Sequence, residues 1–324
     1  MDFKSWATDN LLVRVLAGSR LYGTNNAQSD YDYRGVCIDP PSALVGIHRF
    51  DQQQHVTKNH DEVIYGASKF MNMCVVANPS ILDILFARGN DILFQKPEWS
   101  WVTDNAESLL SQKVRYTFSG YAFSQLKRIK RHKAWIDFPP DMPTLEEFGL
   151  RLHNTPGGGQ VLKLHQDFAH RDESSIIAQY KDAQREFKKY QEWKRNRNPA
   201  RAVLEEKYGY DVKHAAHLVR LLLQGENILR EGTYQPRLVG KTKSVVTDVL
   251  RGNWHYQKLV EFAEEQEHKV MEMNSSLRHS PDSEVLHGLL YKYFALSVSS
   301  DEKLMELLQK HLAATYFTGG QQNE

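Results

Sequence analysis

The sequence is poor in cysteine: two residues, Cys37 and Cys74, in a chain of 324. Both lie in apolar surroundings and read as core thiols. A disulfide framework is therefore not expected, and two thiols cannot build an all-cysteine zinc site, which takes four. An excess of one charge is also missing. The chain has 41 lysines and arginines against 40 aspartates and glutamates. It is no polycation, and any nucleic-acid surface must come from local clustering. No run reaches the roughly 18 apolar residues of a membrane span, so no membrane partner is expected. The opening Met1-Asp2-Phe3-Lys4-Ser5-Trp6 lacks the apolar stretch of a signal peptide, and a reducing cytoplasm is the expected setting. No internal repeat is found. The remaining composition, 41% hydrophobic and 25% charged, is that of a globular chain with enough apolar residues for a sizeable core in one or two domains.

The apolar residues are arranged in two periods. Leu11-Leu-Val-Arg-Val-Leu16 reads as a short buried strand, Asp30–Ile38 as a second strand closed by Pro40-Pro41, and Glu62–Tyr65 as a third. Helical spacing then takes over at 66–77 and 79–88, broken at Asn78-Pro79. Further helices are expected near 106–133, 174–195, 210–231, 254–273, 282–297 and 301–313. Residues 134–160, with four prolines and Gly157-Gly158-Gly159, read as irregular. The expected class is α/β (α+β): a small mixed-sheet domain followed by a mainly helical C-terminal region. The expected boundaries are 1–100 for the sheet domain, 101–205 for a basic helical segment with an irregular insertion, 206–318 for a helical domain and 319–324 for a flexible tail.

Alternation along a strand puts Asp30, Asp32 and Arg34 on one face and Tyr31 and Tyr33 on the other. Two adjacent carboxylates repel, and one is pushed towards protonation unless a cation intervenes. Hard oxygen donors on a rigid strand suit Mg²⁺, which takes one or two carboxylates plus substrate phosphates. An isolated Asp-x-Asp is more often a solvated strand edge. The preceding Gly18-Ser19 changes that balance. A glycine corner at the end of a strand lets a ligand approach the backbone, and the Ser19 hydroxyl adds a donor. A phosphate-holding turn beside a metal-holding strand is minimal equipment for phosphoryl or nucleotidyl transfer.

Gly18-Ser19-Arg20-Leu21-Tyr22-Gly23 followed by Ser29-Asp30-Tyr31-Asp32-Tyr33-Arg34-Gly35 resembles the Gly-Ser … Asp-x-Asp signature of polymerase β-like nucleotidyltransferases. More narrowly, the chain resembles the RNA-repair-pathway polymerase β-like family of bacteria and large phages. Lys69-Phe70, Asn78-Pro79-Ser80 and Leu82-Asp83-Ile84-Leu85 resemble that family's next block, with Asp83 where glutamate is expected. Lys213, His217 and Arg220 resemble its helical block. The resemblance implies that Gly18 and Ser19, with Arg20, Arg34, Lys69, Lys213, His217 and Arg220 as further binding residues, hold a nucleoside triphosphate such as ATP. It implies that Asp30 and Asp32 bind Mg²⁺ (or Mn²⁺) and that a third acid stands on a neighbouring strand. Asp61 and Glu62 are the candidates; they point to opposite faces, so only one fits. Arg34 either pairs with Asp30 or Asp32 or binds phosphate. The implied activity is transfer of a nucleoside monophosphate to an acceptor hydroxyl, with RNA as the implied partner and the cytoplasm, or a phage host's cytoplasm, as the setting. The alternatives are a degenerate NTP- or RNA-binding protein and a carboxylate-metal nuclease, though a nuclease has no triphosphate for a Gly-Ser turn to hold.

Other features are less specific. Lys213, His217 and Arg220 share one helical face, which suits either a cationic ridge or a solvated stripe. His214-x-x-His217 shows no evident cysteine or carboxylate partner, so zinc is not expected. The basic run 113–133, with Tyr116, Tyr121 and Trp135 nearby, suits either nucleic acid or solvent. The 181–207 run mixes acids with bases and reads as an exposed helix with internal pairs. Gly157-Gly158-Gly159 lacks the Lys-Ser/Thr of a P-loop and reads as a flexible connection.

Overall fold

The computed structural model describes residues 3–45, 49–57, 60–302 and 304–310. The expected tail 319–324 lies outside the described residues, as does the end of the expected helix 301–313, whose residues 304–310 are helical. In chain order the elements begin α1 (Phe3–Asp9), β1 (Leu11–Leu16), α2 (Gly18–Tyr22), β2 (Tyr31–Cys37), α3 (Pro41–Val45), β3 (Gln52–Thr57) and β4 (His60–Gly66). They continue with α4 (Ala67–Val75), α5 (Pro79–Leu85), β5 (Ile92–Gln95), α6 (Ser100–Thr103) and α7 (Val114–Asp137). Then follow β6 (Leu150–Asn154), β7 (Gln160–Leu164), α8 (Glu173–Asn196), α9 (Pro199–Tyr208), α10 (Val212–Glu231), α11 (Gly240–Leu250), α12 (Tyr256–Glu272) and α13 (Ser283–Ser299). The expected class holds: a mixed sheet near the N-terminus and a mainly helical remainder.

By compactness the chain divides into residues 1–124 with 216–324, and residues 125–215. The first unit is built on a five-stranded sheet in the order β3-β4-β2-β1-β5. β2 and β4 run parallel; every other neighbouring pair is antiparallel. The middle of the sheet is apolar on one face through Val13, Val15, Val36 and Val63, all buried. β-branched residues suit that pleated surface. Helix α5 starts where the sequence says it should. The Asn78 side chain accepts from the Ser80 and Ile81 amides at 3.0 and 3.4 Å, and Pro79 fills the first turn. Two strands escape the sequence reading. β3 is Gln-Gln-Gln-His-Val-Thr, an edge strand with no apolar alternation, and β5 is only four residues long.

The second unit corrects two expectations. Residues 134–160 are not irregular throughout: β6 pairs with β7, and Gly157-Gly158-Gly159 lies in the connecting turn, closed by the Thr155 amide donating to the Gly159 carbonyl at 2.7 Å. Leu150, Leu152, Leu162 and Leu164 pair across the hairpin and share one face. The charged α8 does carry internal pairs, with Lys189 on Glu186 at 2.6 Å and Arg185 on Asp182. Trp135, Tyr190 and Trp193 cluster within 5.3–6.0 Å of one another, centroid to centroid. Glu205, almost fully buried, receives Arg197 at 2.6 Å and His132 at 3.2 Å.

Candidate active site

The parallel register of β2 and β4 decides which acids share a face. Asp32 stands opposite Asp61, and Tyr33 opposite Glu62. Asp61 is therefore on the Asp32 face and Glu62 on the other. The side-chain contacts agree. Glu62 takes Arg14 Nε at 2.6 Å, while Asp61 takes Arg34 Nη2 at 3.0 Å and Gln54 Nε2 at 3.2 Å. Sequence reasoning had Arg34 either pair with Asp30 or Asp32 or bind phosphate. The structure pairs it with Asp61, because the register brings residue 61 beside the Arg34 fork, which also donates to the Tyr33 and Asp61 carbonyls.

The Gly18 corner closes on the same carboxylates. The Ala17 amide donates to the Asp32 carbonyl at 2.8 Å, so the turn after β1 is laced to β2. Gly18 has φ +59°, and a Cβ built on it would overlap Asp32 Oδ2. Glycine is required there twice, for the left-handed backbone and for the space. Burial pushes the Asp32 carboxyl above the ordinary aspartate value; Arg34 pulls it back, and the negative charges of Asp61 and Asp30 add to the rise. A recess of about 120 Å³ opens here, lined by Gly18, Tyr22, Asp32, Arg34, Ser80 and Asp83. A roomier cleft of about 640 Å³ shares only Leu21 with it and holds Asp91 already paired with Arg237.

The donor set is suited to a divalent cation that arrives with phosphate. Among the described residues no three His, Cys, Asp or Glu side chains converge to hold an ion by themselves. Asp30 and Asp32 supply hard oxygens and a charge conflict that a cation relieves. Mg²⁺ commonly takes one or two protein carboxylates and completes its shell with water and substrate oxygens.

The other expected binding residues scatter. Arg20 donates to the Ser29 and Asp30 carbonyls at 2.7 and 3.1 Å, holding the loop that delivers Asp30. Lys69 sits in the first turn of α4, after the far ends of β2 and β4, and faces Asp51 at 3.6 Å. Along β2 that is roughly 17 Å from Asp32. Lys213 is exposed. Arg220 is not a surface cation: it is 3% exposed, lies 3.8 Å over the Tyr22 ring, and bonds Gln224 at 2.6 Å and His217 at 3.1 Å. His214 does have a carboxylate partner, Asp211 at 3.5 Å, contrary to the sequence reading.

Sequence reasoning missed the network behind the corner. Tyr22, the last residue of α2, and Tyr234 both donate to Asp83 at 2.6 Å. Burial pushes both phenols well above the usual tyrosine value. Burial alone would lower the Arg220 pKa, but Tyr22 and Asp83 hold it up. The only signal in the sequence was an aspartate within the otherwise apolar α5.

Residues 2–137 match the model of the RNA repair pathway DNA polymerase beta family. The N-terminal part of this chain is thus similar to that family, which agrees with the family resemblance read from the sequence. Asp61, Lys69 and Asp83 fall within the match; Lys213, His217 and Arg220 lie beyond it. No curated protein matches the chain. Among solved structures, a nucleotidyltransferase-like protein from Exiguobacterium sibiricum aligns over 95% of this chain and 78% of its own, at 9% identity and a TM-score of 0.25. So remote a likeness says nothing about individual residues.

Proposed function

We propose that the chain transfers a nucleoside monophosphate from a nucleoside triphosphate to an acceptor hydroxyl, with an RNA end as the acceptor. The observation that carries this is the contact of Gly18 with Asp32: a backbone corner with no room for a side chain, pressed against a carboxylate that burial disfavours as an anion, with Arg34 opposing and Asp61 and Asp30 adding to the rise. In the transfer, the acceptor oxygen forms a bond to the α-phosphorus, the α–β phosphoanhydride bond breaks, pyrophosphate leaves and the proton of the acceptor hydroxyl passes to solvent water. Gly18 and Ser19 hold the outer phosphates, Asp30 and Asp32 hold Mg²⁺ or Mn²⁺, and Arg34 sets the position of Asp61. The bound cation neutralises phosphate charge and acidifies the attacking hydroxyl. The recess of about 120 Å³ is small beside the usual volume of ligand sites, so it takes the phosphates and leaves sugar and base outside.

The experiment is incubation of the purified chain with Mg²⁺ or Mn²⁺, labelled NTP and a small-RNA pool. Label should enter RNA, and Asp30→Ala or Asp32→Ala should abolish transfer; full activity in either variant rejects the site. One observation favours a second reading, a nucleotide-binding protein without catalysis: Asp61 is already neutralised by Arg34. That reading predicts cation-dependent NTP binding by calorimetry and no product with any acceptor.

A further inference from the structure

The sheet has a second face, and half of it is bare. Cys37 and Ile64, on the face opposite the carboxylates, pack with Ala7 of α1 and with Phe50. Nearer the ends of β2 and β4 that carry Asp32 and Asp61, the same face is open. Tyr31 on β2 is 47% exposed there, and on the same face Phe94 of β5, level with Gly35, is 43% exposed. The rings form a continuous row across the strands. Tyr31 and Tyr33 stack at 6.2 Å with planes 21° apart, Tyr33 meets His60 of β4 at 4.9 Å, and His60 meets His55 of β3 at 5.8 Å. Two guanidinium groups lie on the tyrosines: Arg20 at 3.5 Å from the Tyr31 ring and Arg14 at 4.4 Å from the Tyr33 ring.

We propose that this open half-face binds single-stranded nucleic acid, the rings stacking on bases and the two arginines and the exposed His55 meeting phosphates. A protein partner would favour a centre depleted of charge. Here rings alternate with guanidinium and imidazole, and one acid, Glu62, stands among them, paired with Arg14 at 2.6 Å and with His60 at 3.5 Å. Aromatic faces interleaved with cations suit unpaired bases on a polyanionic backbone, whereas a duplex hides its base faces. The row also runs on from the candidate active site. Tyr31 lies between Asp30 and Asp32, about 3.8 Å from each along the chain, and points to the opposite face. A strand lying on the rings has only to turn over the end of β2 to bring its terminus to the carboxylates. The proposal rests on the nucleotidyl-transfer reading only in naming that strand as the acceptor.

The test is fluorescence anisotropy of a short labelled single-stranded RNA, its DNA counterpart and an RNA duplex with the full chain, without nucleotide. Both single strands should bind and the duplex should bind more weakly. Tyr31→Leu/Tyr33→Leu should weaken single-strand binding roughly tenfold or more, with circular dichroism showing an intact fold. Phe94→Ser, on an exposed edge strand, should weaken it in the same direction if the tyrosine pair proves unstable. Unaltered affinity in folded variants, preference for duplex, or no binding of single strands overturns the proposal. Calorimetry of ATP with Mg²⁺ on the same proteins separates the two readings. RNA binding through the tyrosines without ATP binding leaves the inference standing and removes the transferase. ATP binding with RNA affinity indifferent to the tyrosines removes the inference alone.

Discussion

Gly18→Ala and Gly89→Ala make a matched pair of perturbations. Gly18 has φ +59° and Gly89 has φ +57°, so alanine suffers the same left-handed backbone at both. That costs about 1–2 kcal/mol, less several tenths returned through the stiffened unfolded chain. Both variants should lose about 1 kcal/mol in urea unfolding, which is a few degrees in melting temperature. They differ in what the new methyl group meets. At Gly89 nothing lies within 4 Å; at Gly18 the methyl overlaps Asp32 Oδ2 and stands 3.4 Å from its Cγ. A carboxylate end can rotate away, so the fold survives, but the oxygen must move by roughly 1 Å to reach ordinary contact distance. A displacement of that size at a reacting centre is worth about 100-fold in rate. Transfer of labelled NTP should therefore fall by about two orders of magnitude in Gly18→Ala and stay near the parent level in Gly89→Ala. Equal activities in the two variants, at equal stability, would show that the corner does not serve the Asp32 carboxylate.

Two further outcomes test the packing behind the site and the second unit. Asp83→Leu removes the acceptor of two buried phenols and a negative charge that acts on buried Arg220; unfolding stability should drop by on the order of 2–4 kcal/mol, and a loss under 1 kcal/mol would mean the network is dispensable. His214 is held down to about 4, first by burial, with Asp211 opposing and Arg201 and Arg128 adding to the fall. Between that value and the unfolded value of about 6.5 the unfolded chain binds the extra proton, so stability should decline as pH falls below about 6.5. By pH 5 that amounts to on the order of 1–2 kcal/mol, and His214→Gln should flatten that decline in urea titrations at pH 7 and pH 5.

Where side-chain period and local capping decide structure, the chain could be read in advance. β1, β2, α5, α8, α10, α12 and α13 follow their apolar spacing to within a few residues of the expected limits, whereas α7, expected from 106, starts only at Val114. β3 could not be read so, because an exposed edge strand is stabilised by its ladder to β4 and not by an apolar face of its own. The hairpin of β6 and β7 was hidden by its prolines and glycines, which mark the connections around it. At the candidate site the shared face of Asp32 and Arg34 was legible from alternation alone, while β2 starts at Tyr31 and leaves Asp30 just before it. The choice between Asp61 and Glu62 was not legible, since it depends on the register of two strands separated by the whole β3 excursion. Arg220 shows the same limit differently. Its helical face was read correctly, but whether that face meets solvent or Tyr22 is settled by packing that no local window contains.

The two faces of β2 explain why the acids around the corner do not simply repel the substrate they are proposed to hold. On one face Arg34 cancels Asp61, and on the other Arg14 cancels Glu62. Among the described residues Asp32 on β2 and Asp30 just before it form no such ion pair, although Arg34 and Arg20 still act to lower the Asp32 carboxyl. Their negative charge is concentrated on one short stretch, next to a backbone corner with no side chain of its own. A cation is favoured at that stretch, and a triphosphate is favoured only once the cation is there. Arg34→Gln should therefore act through charge more than through shape. It releases Asp61, adds a third carboxylate without an ion pair, and should strengthen binding of Mn²⁺ measured by calorimetry in the absence of nucleotide. Weaker Mn²⁺ binding in a folded Arg34→Gln protein would mean that Arg34 orders the acids and does not merely neutralise one of them.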